Sequence, residues 1–212
     1  MSAAPATAPA AVVFDIGRVL IEWRPEAVYD AAIGRERRER FFAEVPIEAM
    51  NLEVDRGADL SASVEALAAE YPDWAGPIRM WCDRWAEMVT PDIPASAHLL
   101  RALRARGVPV FALTNFGVDT FGIAQGMYPV LTEFDRAFVS GRLRQVKPDA
   151  EIYETLERET GLSGAELLFT DDRPENIDAA AARGWRTHLF ESPEGLGGRL
   201  VAEGLLQPAD LP

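Results

Sequence analysis

The chain has 212 residues, of which 48% are hydrophobic and 26% charged, and its 21 Lys+Arg against 34 Asp+Glu give a formal charge of −13. These proportions belong to a folded globular chain and exclude a disordered or collagen-like one. The acidity argues against a nucleic-acid surface or a polybasic membrane patch, both of which need clustered cations. Of the 21 cations 20 are Arg, and Lys147 is the single Lys. The lone Cys82 cannot form an internal disulfide, which suits a reducing cytoplasm, and it reads as a small apolar residue. No run reaches the roughly 18 to 20 apolar residues of a membrane span.

Residues 1–11, MSAAPATAPAA, have neither a basic region nor an apolar run and read as a loose tail rather than a signal peptide. Val- and Phe-rich runs then predict strands at 11–16, 108–114 and 167–170, with weaker ones at 136–140 and 186–190. Helical spacing is found at 96–106, at 149–160 after Pro148, and at 176–183 before Gly184. Alternation of strands and helices predicts a parallel α/β sheet. Residues 25–90 break the rhythm, with helical patterns at 25–33, 36–44, 60–70 and 78–88. This predicts an all-helical insertion after the first strand. Trp74, Trp81 and Trp85 fall there, either as filler of its core or as an aromatic pocket wall.

Polar residues gather where an open parallel sheet binds ligands, at the carboxyl ends of its strands. Asp15 ends the first strand in FDIGRVLIEW, and Thr114 and Asn115 end the second in VPVFALTNF. Lys147 follows the weak third in VKPDAEIY, and Asp171 and Asp172 end the fourth in FTDDRPENI. One such Asp is usually a turn or cap residue. Four groups in order suit phosphoryl transfer through a carboxylate nucleophile, with hard oxygen ligands for Mg²⁺. A compact ammonium at 147 fits between Asp15 and a phosphate better than a guanidinium fork does.

The four segments resemble the four motifs of the haloacid dehalogenase superfamily, and with the insertion they cover almost the whole chain. Within it they are similar to a sugar-phosphate phosphatase group. The resemblance implies a Rossmann-like α/β core at 1–22 and 91–212, a helical cap domain at 23–90, and Mg²⁺-dependent hydrolysis of a small phosphorylated metabolite. It implies Asp15 as nucleophile, Thr114 and Asn115 as the phosphate-binding pair, and Lys147 as the motif lysine. Asp15, Asp172, the adjacent Asp171 and the Gly17 carbonyl would be the metal ligands. Nothing in the chain requires an oligomer.

Two positions depart from the pattern. The second Asp, two residues after the nucleophile, is the usual acid/base of these phosphatases, and here it is Gly17. Arg18 follows, either reaching the substrate phosphate or pairing outward with a cap carboxylate. Dehalogenases also lack that second Asp, so a metal-free 2-haloacid dehalogenase is the rival reading, and a phosphosugar- or partner-binding domain without turnover is the third. The adjacent Asp171 and Asp172 favour a metal site, since they would repel Asp15 without a cation. In the cap segment EVDRGADLS, Arg56 is a candidate substrate contact, as is Trp23; the alternative for Arg56 is a solvated pair with Glu53 or Asp55. His98 and His188 have no partners in sequence that would make a triad.

Overall fold

The structure, a computed structural model, describes residues 8–212. Five strands, β1 (Ala11–Phe14), β2 (Val110–Thr114), β3 (Arg136–Val139), β4 (Leu167–Asp171) and β5 (Arg186–Leu189), form one sheet in the order β3-β2-β1-β4-β5. Every pairing is parallel. Central strands of such a sheet are covered on both faces, and β1, β2 and β4 are accordingly buried at every residue. The edge strand β5, RTHL, is more polar and only partly covered. Strand order reverses at β1, which opens a crevice outside the carboxyl ends of β1 and its neighbours.

Between β1 and β2 lie α1 (Pro25–Ile33), α2 (Arg35–Glu44), α3 (Ile47–Asp55), α4 (Leu60–Glu70), α5 (Ala75–Asp83) and α6 (Trp85–Met88). After them come α7 (Pro94–Ala105), α8 (Val118–Met127), α9 (Ser140–Leu143), α10 (Ala150–Thr160), α11 (Pro174–Ala182) and α12 (Pro193–Ala202). The two faces of the sheet are sealed by different helices, as the period of two along a strand requires. Val12, Phe14 and Leu168 pack with Leu99 and Leu100 of α7 and Leu196 of α12. Val13, Leu113 and Phe169 pack with Ile152 and Leu156 of α10 and Ala180 of α11. A third cluster is built entirely from the insertion, around Tyr29, Phe41, Trp74 and Trp81. Tyr29 stacks on Phe41 with ring centroids 5.2 Å apart, and its hydroxyl donates to the Pro77 carbonyl at 2.8 Å. Cys82 is half-buried at the edge of this cluster.

The α/β class is as expected, and the differences are local. Ala10 donates to the Glu166 carbonyl at 2.7 Å and Ala11 is fully buried in β1, so the reading of a tail as far as residue 11 is corrected there. Residues 1–7 of that tail lie outside the described residues. Helices α7 and α11 begin two residues earlier than predicted, each with Pro in the first turn, where its missing N–H costs nothing. The helix predicted at 78–88 breaks at Arg84. Helix α3 falls within the predicted all-helical insertion but outside the four helical patterns named there. Among the described residues no helix is long and apolar enough to cross a membrane.

Candidate active site

Asp15 continues the β1 ladder by donating its N–H to the Thr170 carbonyl at 2.9 Å, so its side chain leaves the sheet at the carboxyl edge. Lys147 does not sit at the end of β3; it follows α9 and is carried to the site by Asn115. The Asn115 amide spans the Lys147 main chain, accepting from its N–H at 2.8 Å and donating to its carbonyl at 2.9 Å. Both ends of that side chain are thereby engaged, so a phosphate contact from residue 115 falls to its main chain. The buried Lys147 Nζ lies 2.8 Å from Asp15 Oδ1 and 2.6 Å from Asp171 Oδ2. Asp171 also accepts from the Arg173 N–H at 2.8 Å and, on both oxygens, from Asn176 Nδ2 at 3.0 Å. Its oxygens are occupied by protein donors, whereas Asp15 and Asp172 keep free oxygen positions. Thr114 is buried and lines the same cavity.

Burial pushes the Asp15 carboxyl up to about 6, with Asp171 and Asp172 adding to the rise and Lys147 opposing it. Burial, then Asp171, raises Asp172 as well, against the pull of Arg18 and Lys147. Burial disfavours the Lys147 ammonium, but Asp15 and Asp171 outweigh it and hold the lysine above its ordinary value. Three carboxylates share one lysine in a desolvated crevice, leaving excess negative charge that a cation would relieve. Oxygens of Asp15, Asp171 and Asp172 lie within 4.8 Å of one another, and all are hard donors. This donor set suits Mg²⁺.

The carboxylates open into a cavity of about 640 Å³ whose other wall is the insertion. Trp23, Trp81, Trp85 and Leu52 line it. Trp23 lies 5.7 Å from Trp81 and 6.4 Å from Trp85 between ring centroids, so Trp81 serves both as core filler and as wall. Gly17 lines the cavity too, and a Cβ there would meet nothing within 4 Å. Neither space nor backbone angle demands glycine at this position.

Glycines set the close approach of the end of α3 to the core. A Cβ on Gly117 would fall 2.7 Å from Val54 Cγ1, and one on Gly57 would fall 2.7 Å from the Gly141 carbonyl. Gly57 also has φ +100°, which side chains rarely adopt. The docked segment puts Asp55 into the cavity wall. The carboxyl accepts from Asn51 Nδ2 at 3.2 Å and from the Gly117 N–H, and Asn51 itself accepts from Trp81 Nε1 at 3.0 Å. Burial, helped by the charge of Asp15, pushes Asp55 up to about 7. Sequence reading missed this residue; the spacing of Ile47, Met50 and Val54 was the signal for its helix.

Arg18 lies in the left-handed region with φ 56° and pairs with Asp172 at 3.7 Å, not with a carboxylate of the insertion. Arg56 pairs with Glu53 at 2.9 Å and reaches Asp149 at 3.8 Å, outside the residues that line the cavity. His98 bonds the Asp210 carbonyl at 2.9 Å and His188 lies on the edge strand β5, and neither lines the cavity.

A family model for haloacid dehalogenase-like hydrolases matches residues 9–184. Among curated proteins, the chain is 30% identical to a sesquiterpene phosphatase of Aspergillus oryzae over 190 residues, 86% of this chain and 90% of that one. Among solved structures, a haloacid dehalogenase family enzyme of Bacteroides thetaiotaomicron superposes with a TM-score of 0.72 at 19% identity, covering 87% of this chain and 95% of that one. That enzyme has also been solved with magnesium and inorganic phosphate. An L-2-haloacid dehalogenase of Xanthobacter autotrophicus superposes at 0.61 with 22% identity, covering 95% and 86%. At these identities the structural neighbours speak for the fold alone.

Proposed function

The chain belongs to the haloacid dehalogenase-like hydrolases, and from that premise we propose that it hydrolyses a small phosphate monoester, with Asp15 as nucleophile and Mg²⁺ as cofactor. The observation that carries the reading is the buried Asp15–Lys147–Asp171 array beside Asp172 at one cavity. Asp15 attacks phosphorus and displaces the alcohol, and water then releases phosphate from the aspartyl-phosphate. Lys147 keeps Asp15 anionic and faces the phosphate with the charge that Arg would place elsewhere. The Thr114 hydroxyl and the Asn115 main chain hold phosphate oxygens. Asp15, Asp172 and the Gly17 carbonyl would hold the metal, which neutralises phosphate charge when bound. Asp171 fixes the lysine. Residues 23–90 act as the cap over this site, with 1–22 and 91–212 as its core.

For the alcohol, the wall of Trp23, Trp81, Trp85 and Leu52 favours an apolar body, in keeping with the named substrate class of the Aspergillus relative. A sugar phosphate, expected from the sequence, is the second reading, supported by Glu22, Glu26 and Glu48 on the same lining as acceptors for hydroxyls. The dehalogenase reading, which needs no metal, leaves the excess negative charge of Asp15, Asp171 and Asp172 without a cation. A panel of apolar and sugar phosphomonoesters, assayed with Mg²⁺ or EDTA on wild type and Asp15→Asn, tests all of this. Phosphate release that needs the metal and falls at least ~10⁴-fold in the variant is expected. Halide release from 2-haloacids, indifferent to EDTA, would overturn it.

A further inference from the structure

Resting on the phosphatase reading above, we propose that Asp55, at the carboxyl end of α3, is the general acid and base that the core lacks at Gly17. The core position is empty of any carboxyl, yet it has room for one. Across the same cavity the insertion presents a carboxyl held by two donors, Asn51 Nδ2 and the Gly117 N–H. The hold is deliberate in the sense that Gly117 and Gly57 admit α3 against the core only because they lack a Cβ. Asp55 stands apart from the oxygens of Asp15, Asp171 and Asp172 that gather within 4.8 Å of one another. It is therefore free of a metal ligand's work.

Three other carboxyls on the cavity are less suited to giving up a proton. Glu175 is held below the usual range by the N–H at its own helix start and by Arg173, so it stays ionised. Asp172 faces Arg18 and the acidic cluster. Glu48 is exposed to solvent. Burial is the largest influence on Asp55 and favours its protonated form; the Gly117 N–H opposes this, the charge of Asp15 adds to it and Lys147 opposes it, leaving the carboxyl at about 7. Such a group exists in both protonation states at neutral pH, which is what an acid/base that works in two directions needs.

In the first step an Asp15 oxygen bonds to phosphorus, the bond from phosphorus to the alcohol oxygen breaks, and that oxygen takes the Asp55 proton. In the second a water oxygen bonds to phosphorus, the bond to Asp15 breaks, and the water proton returns to Asp55. The site is then as it began. A loose polar residue of the wall would do neither. Asp55 is carried by the insertion and held by the Gly117 N–H, so its place on the cavity depends on α3 being docked there.

The test compares an alkyl phosphate, whose alkoxide needs a proton to leave, with an aryl phosphate, whose phenolate does not. Asp55→Asn is expected to lower kcat for the alkyl ester ~100-fold or more and for the aryl ester less than about tenfold. In wild type, kcat/KM for the alkyl ester should fall as pH rises through about 7, because the acid form is lost there, and Asp55→Asn should lack that limb. Gly17→Asp in the Asp55→Asn background should recover alkyl-ester turnover, which also guards against a variant that merely folds badly. Equal losses on both esters, or no loss, would overturn the assignment to Asp55 while leaving the phosphatase reading intact. A wild type that releases phosphate from neither ester would sink both.

Discussion

The two walls of the cavity hold their carboxyls by opposite means. At the strand ends, Asp15 and Asp172 line the cavity; behind them Asp171 is fully buried and satisfied by Lys147, Asn176 and the Arg173 amide, and Lys147 is fixed at both its ammonium and its main chain. On the insertion, Asp55 is half-buried with two donors and no cationic partner in bonding contact, among tryptophans and Leu52. The first arrangement keeps charge in place, because a buried ammonium shared between two carboxylates cannot drift or give up a proton cheaply. The second lets charge come and go. On the proposed reading, the first wall binds the phosphate and the second handles the proton and the alcohol.

The most severe way to break this contrast is Lys147→Met. It leaves Asp15 and Asp171 buried together without their cation, and losing one partner of a buried pair costs about 3–5 kcal/mol. A fall of that size in unfolding free energy, read from urea denaturation, is expected together with loss of phosphate release. Lys147→Arg keeps the charge but not the shape, so stability should recover more than turnover does. Near-normal activity in the Arg variant would show that the lone lysine of this Arg-rich chain has no special task.

A milder change sharpens the contrast from the other side. Leu52 lines the cavity yet remains 36% exposed, so Leu52→Gln removes an apolar contact without opening the core. If the wall recognises an apolar body, KM for an apolar phosphate should rise about tenfold, equivalent to ~1.4 kcal/mol, with kcat nearly unchanged. A sugar phosphate should be affected less. An equal change for both would remove the argument for an apolar substrate.

How far each wall is legible in the sequence follows from the same difference. A strand end announces itself: β1 and β4 are short apolar runs, and the first polar residues after them must emerge at the carboxyl edge, as Asp15 and Asp172 do. The placement of Lys147 was legible only in outline, because its position depends on the Asn115 side chain reaching across from β2. Asp55 was passed over because its environment is made by contacts distant in sequence, Gly117 and Asp15. Locally it is one acidic residue beside Glu53 and Arg56. Helix α3 hid for a similar reason, since it buries only Ile47 and Val54 and carries polar residues between them.

Arg56 gives the smallest and most discriminating prediction. It sits one residue beyond Asp55, yet its guanidinium points to Glu53 and Asp149 and away from the cavity lining. Its side chain is 41% exposed and both partners are more exposed still, so screening leaves such pairs at roughly 0–1 kcal/mol. The Asp149 contact bridges the insertion to the chain just after Lys147, so Arg56→Ala should loosen docking slightly. The expected result is a less than about threefold change in kcat/KM for alkyl phosphates, fading as salt is added. A loss as large as that of Asp55→Asn would mean that the insertion closes further over substrate than this structure shows, bringing Arg56 to the phosphate. The wall assigned to proton transfer would then be binding the anion as well.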